Sequence, residues 1–282
     1  MSPEQRLEGL VLRSSPLGES DRLLTLLSAE AGLIRLAAPG ARKPKSALAA
    51  AVPLAVLSLQ VGGRNGLRRV RQLRVQRNFS ALAQRLETLA AAQGLAELTQ
   101  ELVPADDAAE GVLETLVVQL SRLEAVVKEH QEPLEALAIA VQGCVQLLAL
   151  GGYALPLACC ARSGMPLEPP LGNWDWRCSL LPGEGFAIGA VAGARLVLNA
   201  SELALLQRLL RPALPRRRDG ELMGPEPVWL RLLQLVESWS REHLGRSARS
   251  WRLLRQCFGD EGLQRSGSGA AHRHHRDPEP GA

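Results

Sequence analysis

Apolar positions in the first eighty residues recur at short range, in runs bounded by turn residues. Residues 7–14 (Leu-Glu-Gly-Leu-Val-Leu-Arg-Ser) predict a strand, and Pro16 to Ser20 a turn. The run Asp21 to Ser28, with Leu23, Leu24, Leu26 and Leu27, fits either a strand or a short piece of helix, because brief apolar runs do not separate the two. Gly32 to Ala38 alternates as a strand does. Ala51 to Val61 predicts another, Gly62-Gly-Arg-Asn-Gly66 a hairpin turn, and Leu67 to Val75 a last strand rich in arginine. About five short strands over residues 1–79 suggest a small barrel, for which the five-stranded OB-fold is the natural candidate.

From Ser80, a reasonable helix N-cap, the period changes. Residues 81–103, 110–129 and 133–148 carry leucine and valine at helical intervals, interrupted at Pro104 and Pro133 and stopped by Gly151-Gly152, which predicts a three-helix bundle. Residues 153–194 are irregular and rich in proline and glycine. A helix capped by Asn199 or Ser201 follows, then helices over 227–244 and 250–258, with Arg216-Arg217-Arg218 in a loop. Residues 259–282 are almost without apolar side chains and predict a disordered tail. The chain therefore reads as a multidomain α+β protein. An OB-fold barrel spans 1–79, and a mainly helical domain spans 80–258 with an irregular insert at about 153–194.

Charge sharpens this division. Residues 1–80 carry 13 Lys/Arg against 5 Asp/Glu, residues 81–150 carry 3 against 11, and residues 151–282 carry 17 against 13. A basic module is thus followed by an acidic one, and the basic module is the candidate for a polyanionic partner. Its densest stretch is Leu36-Ala-Ala-Pro-Gly-Ala-Arg-Lys-Pro-Lys-Ser46, where Pro39, Gly40 and Pro44 keep the backbone out of a helix and Arg42, Lys43 and Lys45 supply cations. Such a loop suits phosphate contact. Arg64, Arg68, Arg69, Arg71 and Arg74 add to it. Strict alternation puts Arg69 and Arg71 on one strand face and Arg68 and Arg74 on the other. Phe79 is the one aromatic residue of the module, so phosphate contact and steep salt dependence are expected over base stacking.

Other chemistry is thin. No Gly-x-x-x-x-Gly-Lys-Ser/Thr loop and no Gly-x-Ser-x-Gly elbow occurs, and the acidic residues of 81–150 form no paired-carboxylate pattern, so no enzyme is expected. Five cysteines, an odd number, argue for a reducing, cytoplasmic setting over a disulfide framework. No apolar run of membrane-spanning length or signal-peptide core is evident. Cys160-Ala-Arg-Ser163-Gly164 has the outline of a zinc knuckle with serine in the second ligand place, and with Cys178 it leaves a degenerate site from which no metal or other cofactor is expected. His272-Arg-His-His275 reads as part of a basic low-complexity tail.

Gly9-Leu-Val-Leu-Arg13, Gly18-Glu-Ser-Asp-Arg-Leu-Leu-Thr-Leu26, Gly32-Leu-Ile-Arg35 and Gly40-Ala-Arg-Lys-Pro-Lys-Ser46 resemble the RecO family of bacterial DNA repair proteins. The resemblance continues at Leu95-Ala-Glu-Leu98, Gly151-Gly-Tyr-Ala-Leu-Pro156, Ser163-Gly-Met-Pro-Leu167 and Leu244-Gly-Arg-Ser-Ala-Arg-Ser-Trp251. It implies an OB-fold, a helical domain and often a zinc-binding insert, here degenerate, with Trp174, Trp176 and Phe186 expected to pack where zinc sits in other members. It implies a non-enzymatic recombination mediator in the cytoplasm, associated with the nucleoid. Such a mediator binds single- and double-stranded DNA and anneals complementary strands. It works with RecR and helps load the RecA recombinase onto DNA coated by single-stranded DNA-binding protein, whose acidic C-terminal tail docks on the helical domain. Arg35, Arg42, Lys43, Lys45, Arg64, Arg68, Arg69, Arg71 and Arg74 are the candidate DNA-binding residues. For the acidic tail, Arg195, Arg208, Arg211 and the Arg216–Arg218 run are candidate donors. An RNA- or ribosome-associated OB-fold factor would present the same basic module.

Overall fold

The computed structural model describes residues 5–63, 67–105 and 107–267. Strands β1 (Gln5–Leu17), β2 (Asp21–Ser28), β3 (Gly32–Ala38), β4 (Ala55–Gly62) and β5 (Arg68–Asn78) close into an OB-like barrel in the order β1-β2-β3-β5-β4. Closure depends on β1, whose first half pairs with β4 and whose second half pairs with β2, the change falling at Leu10, just before a bulge between Val11 and Arg13. The ambiguous run 21–28 is a strand because it pairs along its length with both β1 and β3. Its clean alternation is lost because both faces are covered: Leu24 and Leu26 fill the barrel, whereas Leu27 faces the helices.

Several boundaries differ from expectation. β1 continues through Pro16 to Leu17, which pairs with Asp21, so the turn is confined to residues 18–20. β4 starts at Ala55 rather than Ala51. Residues 48–51 form a turn, and Leu54 adopts a positive φ of 63° while its N–H donates to the Val11 carbonyl. Ser80 opens a short 3-10 helix (Ser80–Gln84), and α1 (Leu86–Leu102) begins after Arg85 without a side-chain cap.

α1, α2 (Val112–Lys128) and α3 (Pro133–Leu150) form the predicted bundle, with α3 at its centre. α3 is long and apolar enough to cross a membrane, yet 72% of it is buried in the protein. The segment read as irregular holds β6 (Arg177–Leu181) and β7 (Gly185–Ile188), which join β8 (Leu196–Asn199) in a sheet ordered β7-β6-β8. Asn199, and not Ser201, caps α4 (Ala200–Arg208) through a reciprocal capping box with Glu202. α5 (Glu226–Leu244) and α6 (Ser250–Gly267) complete the chain. α6 runs past Phe258, where the tail was expected to start, because residues 259–266 contain no proline and several good helix formers. Residues 268–282, with His272, His274 and His275, lie outside the described residues.

Two cores result. Leu7, Val11, Leu24, Leu26, Ile34, Leu36, Leu57 and Leu59 fill the barrel. Leu10, Leu12, Leu27, Leu54 and Phe79, on the barrel's outside, are continuous with the helical core. Backbone contacts seal the junction: the Leu33 N–H donates to the Pro104 carbonyl and the Ala109 N–H to the Ala29 carbonyl. Arg77 adds a bond of 3.1 Å to Glu124 on α2 while its guanidinium stacks 4.3 Å above the Phe79 ring. The helices therefore cover one end of the β1–β2 outer surface and leave the other end open.

Candidate nucleic-acid interface

Strand register decides which cations share that open face. Arg13 pairs with Thr25, and Thr25 with Arg35, so two exposed arginines flank a threonine in one row across β1, β2 and β3. With strands spaced as in any sheet, their Cα atoms lie about 10 Å apart. The next outward row is Ser15, Leu23, Ala37 and Arg69. Arg35 and Arg69 are thus brought onto one surface, and Arg13 joins them. The expected set missed Arg13 because a single arginine in an apolar strand carries no signal until its cross-strand neighbours are known.

The predicted faces of β5 are corrected by a bulge. Val61 pairs with Val70 and Gln60 with Gln72, leaving Arg71 as the extra residue. Val70 is buried and Leu73 packs against the barrel core, an odd spacing that reverses the parity after Arg71. Arg74 therefore lies on the outer side with Arg69, not with Arg68. Arg68 is in register with Leu36, an inward position at the barrel mouth, and donates to Gln5 Oε1 at 2.8 Å. Arg64 lies outside the described residues. A cleft of about 410 Å³ opens between Pro39 and the β4–β5 hairpin, lined by Gly62, Gly63, Leu67, Arg69 and Arg71.

The basic loop closes the end of this surface. Arg42, Lys43 and Lys45 are all exposed. The loop is fastened to the β1–β2 turn: the Arg42 N–H donates to the Ser20 carbonyl and its guanidinium to the Gly18 carbonyl, both at 2.9 Å. Asp21 Oδ1 accepts from the Gly40 N–H at 2.8 Å and from the Ser20 hydroxyl at 2.9 Å. These bonds, with Arg69 and Lys43 nearby, hold the Asp21 carboxyl below its usual range. The result is a turn, a loop and an open sheet face that carry Arg13, Arg35, Arg42, Lys43, Lys45 and Arg69, whereas Arg74 sits in another outward row, beside Ser58 of β4 and Glu8 of β1. No aromatic side chain is on that face among the described residues, so it can bind phosphates but offers no stacking platform.

Of the candidate acceptors for an acidic tail, Arg216 is already committed, donating to both Glu135 oxygens at 2.8 Å. Arg208 reaches the Met223 sulfur at 3.0 Å.

The degenerate metal site keeps its turn and lacks its ligands. The Ser163 and Ile188 N–H groups point at Cys160 Sγ, at 3.5 and 3.4 Å, and Gly164 turns the chain with φ at +69°. Ser163 and these N–H groups lower the Cys160 thiol to about 7. Cys178 is pushed up to about 12, first by burial and then by Cys160. Two thiols and a serine hydroxyl do not fit the four-ligand needs of zinc, and the described residues hold no group of three or more metal-ligating side chains. Phe186 is buried and Trp176 packs against the core, whereas Trp174 is 82% exposed and does not replace the metal's packing.

The two buried thiols whose values are raised, Cys178 and Cys144, set an alkaline limit. Unfolding frees Cys178 to ionise at its ordinary value of 9.0, while the folded thiol keeps its proton to about 12. Burial pushes Cys144 up as well. The stability these groups contribute is complete below about pH 9 and is lost as pH rises, for Cys178 by about 1.4 kcal/mol per pH unit up to its folded value. Urea unfolding across pH 8–11 should show this fall, and Cys178→Ala should make it shallower.

The chain matches two family models in succession: Recombination protein O N terminal over residues 1–79 and Recombination protein O C terminal over residues 83–252. Among similar proteins, the DNA repair protein RecO of Prochlorococcus marinus (strain MIT 9303) is 62% identical over 92% of this chain and 97% of its own length. That of Synechococcus sp. (strain CC9311) is 60% identical over 91% and 98%, and that of Trichodesmium erythraeum (strain IMS101) is 30% identical over 90% and 94%.

Proposed function

Because this chain belongs to the RecO family of DNA repair and recombination mediators, we propose that its barrel binds single- and double-stranded DNA and anneals complementary strands without turnover chemistry. The observation that carries this reading is the cationic outer face: the Arg13–Thr25–Arg35 row, Arg69 in the next row, and the basic loop at its end. Cations on a stiff sheet neutralise phosphates on two strands at once and leave base edges free to pair. The acidic segment 81–150, with 11 Asp/Glu against 3 Lys/Arg, lies at the covered end of the barrel, and its charge repels DNA, so DNA and protein partners use different surfaces. RecR, single-stranded DNA-binding protein through its acidic tail, and RecA indirectly are the partners of this reading, and the nucleoid in the cytoplasm is its setting.

Annealing of two complementary, fluorescently labelled DNA strands tests it, with no nucleotide or metal added. Rapid annealing that fades as salt rises is expected. Tight binding of structured RNA with no acceleration of DNA annealing would replace this reading with that of an RNA-binding factor.

A further inference from the structure

The turn end of the cationic face carries two acidic side chains, exposed Glu19 and Asp21, and elementary electrostatics makes either a liability for phosphate binding; Asp21 is the one bonded to the loop. Its position gives it another role. Leu17 and Asp21 close the β1–β2 turn as a pair, and Asp21 Oδ1 reaches across to the Gly40 N–H at 2.8 Å. Gly40 has a φ of +65° and begins the turn Gly40–Lys43, closed by the Lys43 N–H on the Gly40 carbonyl at 2.9 Å. The β1–β2 turn also holds Arg42, whose N–H donates to the Ser20 carbonyl and whose guanidinium donates to the Gly18 carbonyl. Ser20 donates to the same Asp21 oxygen at 2.9 Å and fixes the carboxylate rotamer.

We propose that Asp21 is a positioning residue that anchors the phosphate-binding loop to the β1–β2 turn. The proposal rests on the reading of Arg42, Lys43 and Lys45 as phosphate contacts. Charge and anchorage make opposite predictions for Asp21, which separates them. If Asp21 acts only by its charge, any neutral residue tightens DNA binding. If it anchors the loop, the outcome depends on the acceptor oxygen. Asp21→Asn keeps an oxygen for the Gly40 N–H and loses the negative charge. Asp21→Ala loses both.

Affinity for a labelled single-stranded oligonucleotide of mixed sequence is measured for both variants, alongside the rate of tryptic cleavage after Arg42 and Lys45. Asp21→Ala is expected to weaken binding about fivefold to tenfold, as the loop spends most of its time out of the binding posture, and to speed cleavage. Asp21→Asn restores slow cleavage and binds as tightly as the native protein or more tightly. Unchanged cleavage in Asp21→Ala overturns the anchoring role. Faster cleavage with unchanged affinity overturns the phosphate-contact reading beneath it, and the loop variant lacking all three cations then also binds normally.

Discussion

Replacing Arg42, Lys43 and Lys45 together with alanine should weaken DNA binding by about tenfold to a hundredfold near 0.1 M salt. Each phosphate contact contributes about 0.7–0.9 to the slope of log affinity against log salt, so three contacts at one decade below molar salt are worth about two decades of affinity. The lower bound allows for Arg42, whose guanidinium is partly occupied by the Gly18 carbonyl. The loss should be the same for every sequence, because phosphate contacts carry no sequence information. Its signature is a salt slope shallower by up to about 2–2.7, measured by anisotropy titration over a salt series. Adding Arg35→Ala and Arg69→Ala, on the neighbouring rows of the face, should flatten the slope further. A triple variant that matches the native protein at every salt concentration would remove the loop from the interface.

How much of this site could be read from the chain varies with the kind of information needed. The basic loop is contiguous, and composition alone points to it. Its fastening is not: Asp21 and Gly40 are nineteen positions apart and meet only because β1, β2 and β3 are neighbours in the barrel. Arg13 and Arg35 are likewise joined only by register. The parity of β5 depends on a one-residue bulge at Arg71, which strict alternation cannot express. In the fold, the barrel strands and the bundle helices are legible because each repeats its own period. β6 and β7 were hidden because Cys178 to Leu181 and Gly185 to Ala187 are buried throughout, so neither run alternates. The knuckle outline at Cys160 is present as a turn whose backbone N–H groups converge on one sulfur, a feature legible in the spacing of Cys160, Ser163 and Gly164.

The largest stability effects are expected where the Trp251 ring rests on Gly94, in the middle of α1. A Cβ built there would overlap three atoms of the Trp251 ring, which is 1% exposed where α6 crosses α1. One turn further along, Glu97 accepts from the Ser250 N–H at 3.1 Å and from its hydroxyl at 2.9 Å, capping α6. The two helices are thus clasped by a ring seated on a glycine and a carboxylate on a helix start. In an exposed helix, glycine to alanine stabilises by about 0.5–1 kcal/mol. Here the ring must leave its seat, an overpacking cost of about 1–3 kcal/mol or more, so Gly94→Ala should be net destabilising by about 2 kcal/mol. For a chain of this size that lowers Tm by about 4–8 °C. Trp251→Ala alone should cost about 3–5 kcal/mol by emptying the seat. In that background the sign of Gly94→Ala reverses, because only the helix-propensity gain is left. A double-mutant cycle by thermal or urea unfolding checks this, and additive effects would mean that the ring does not rest on Gly94. DNA affinity of folded Gly94→Ala should stay native, since the cationic face is carried by strands whose core is separate from this clasp.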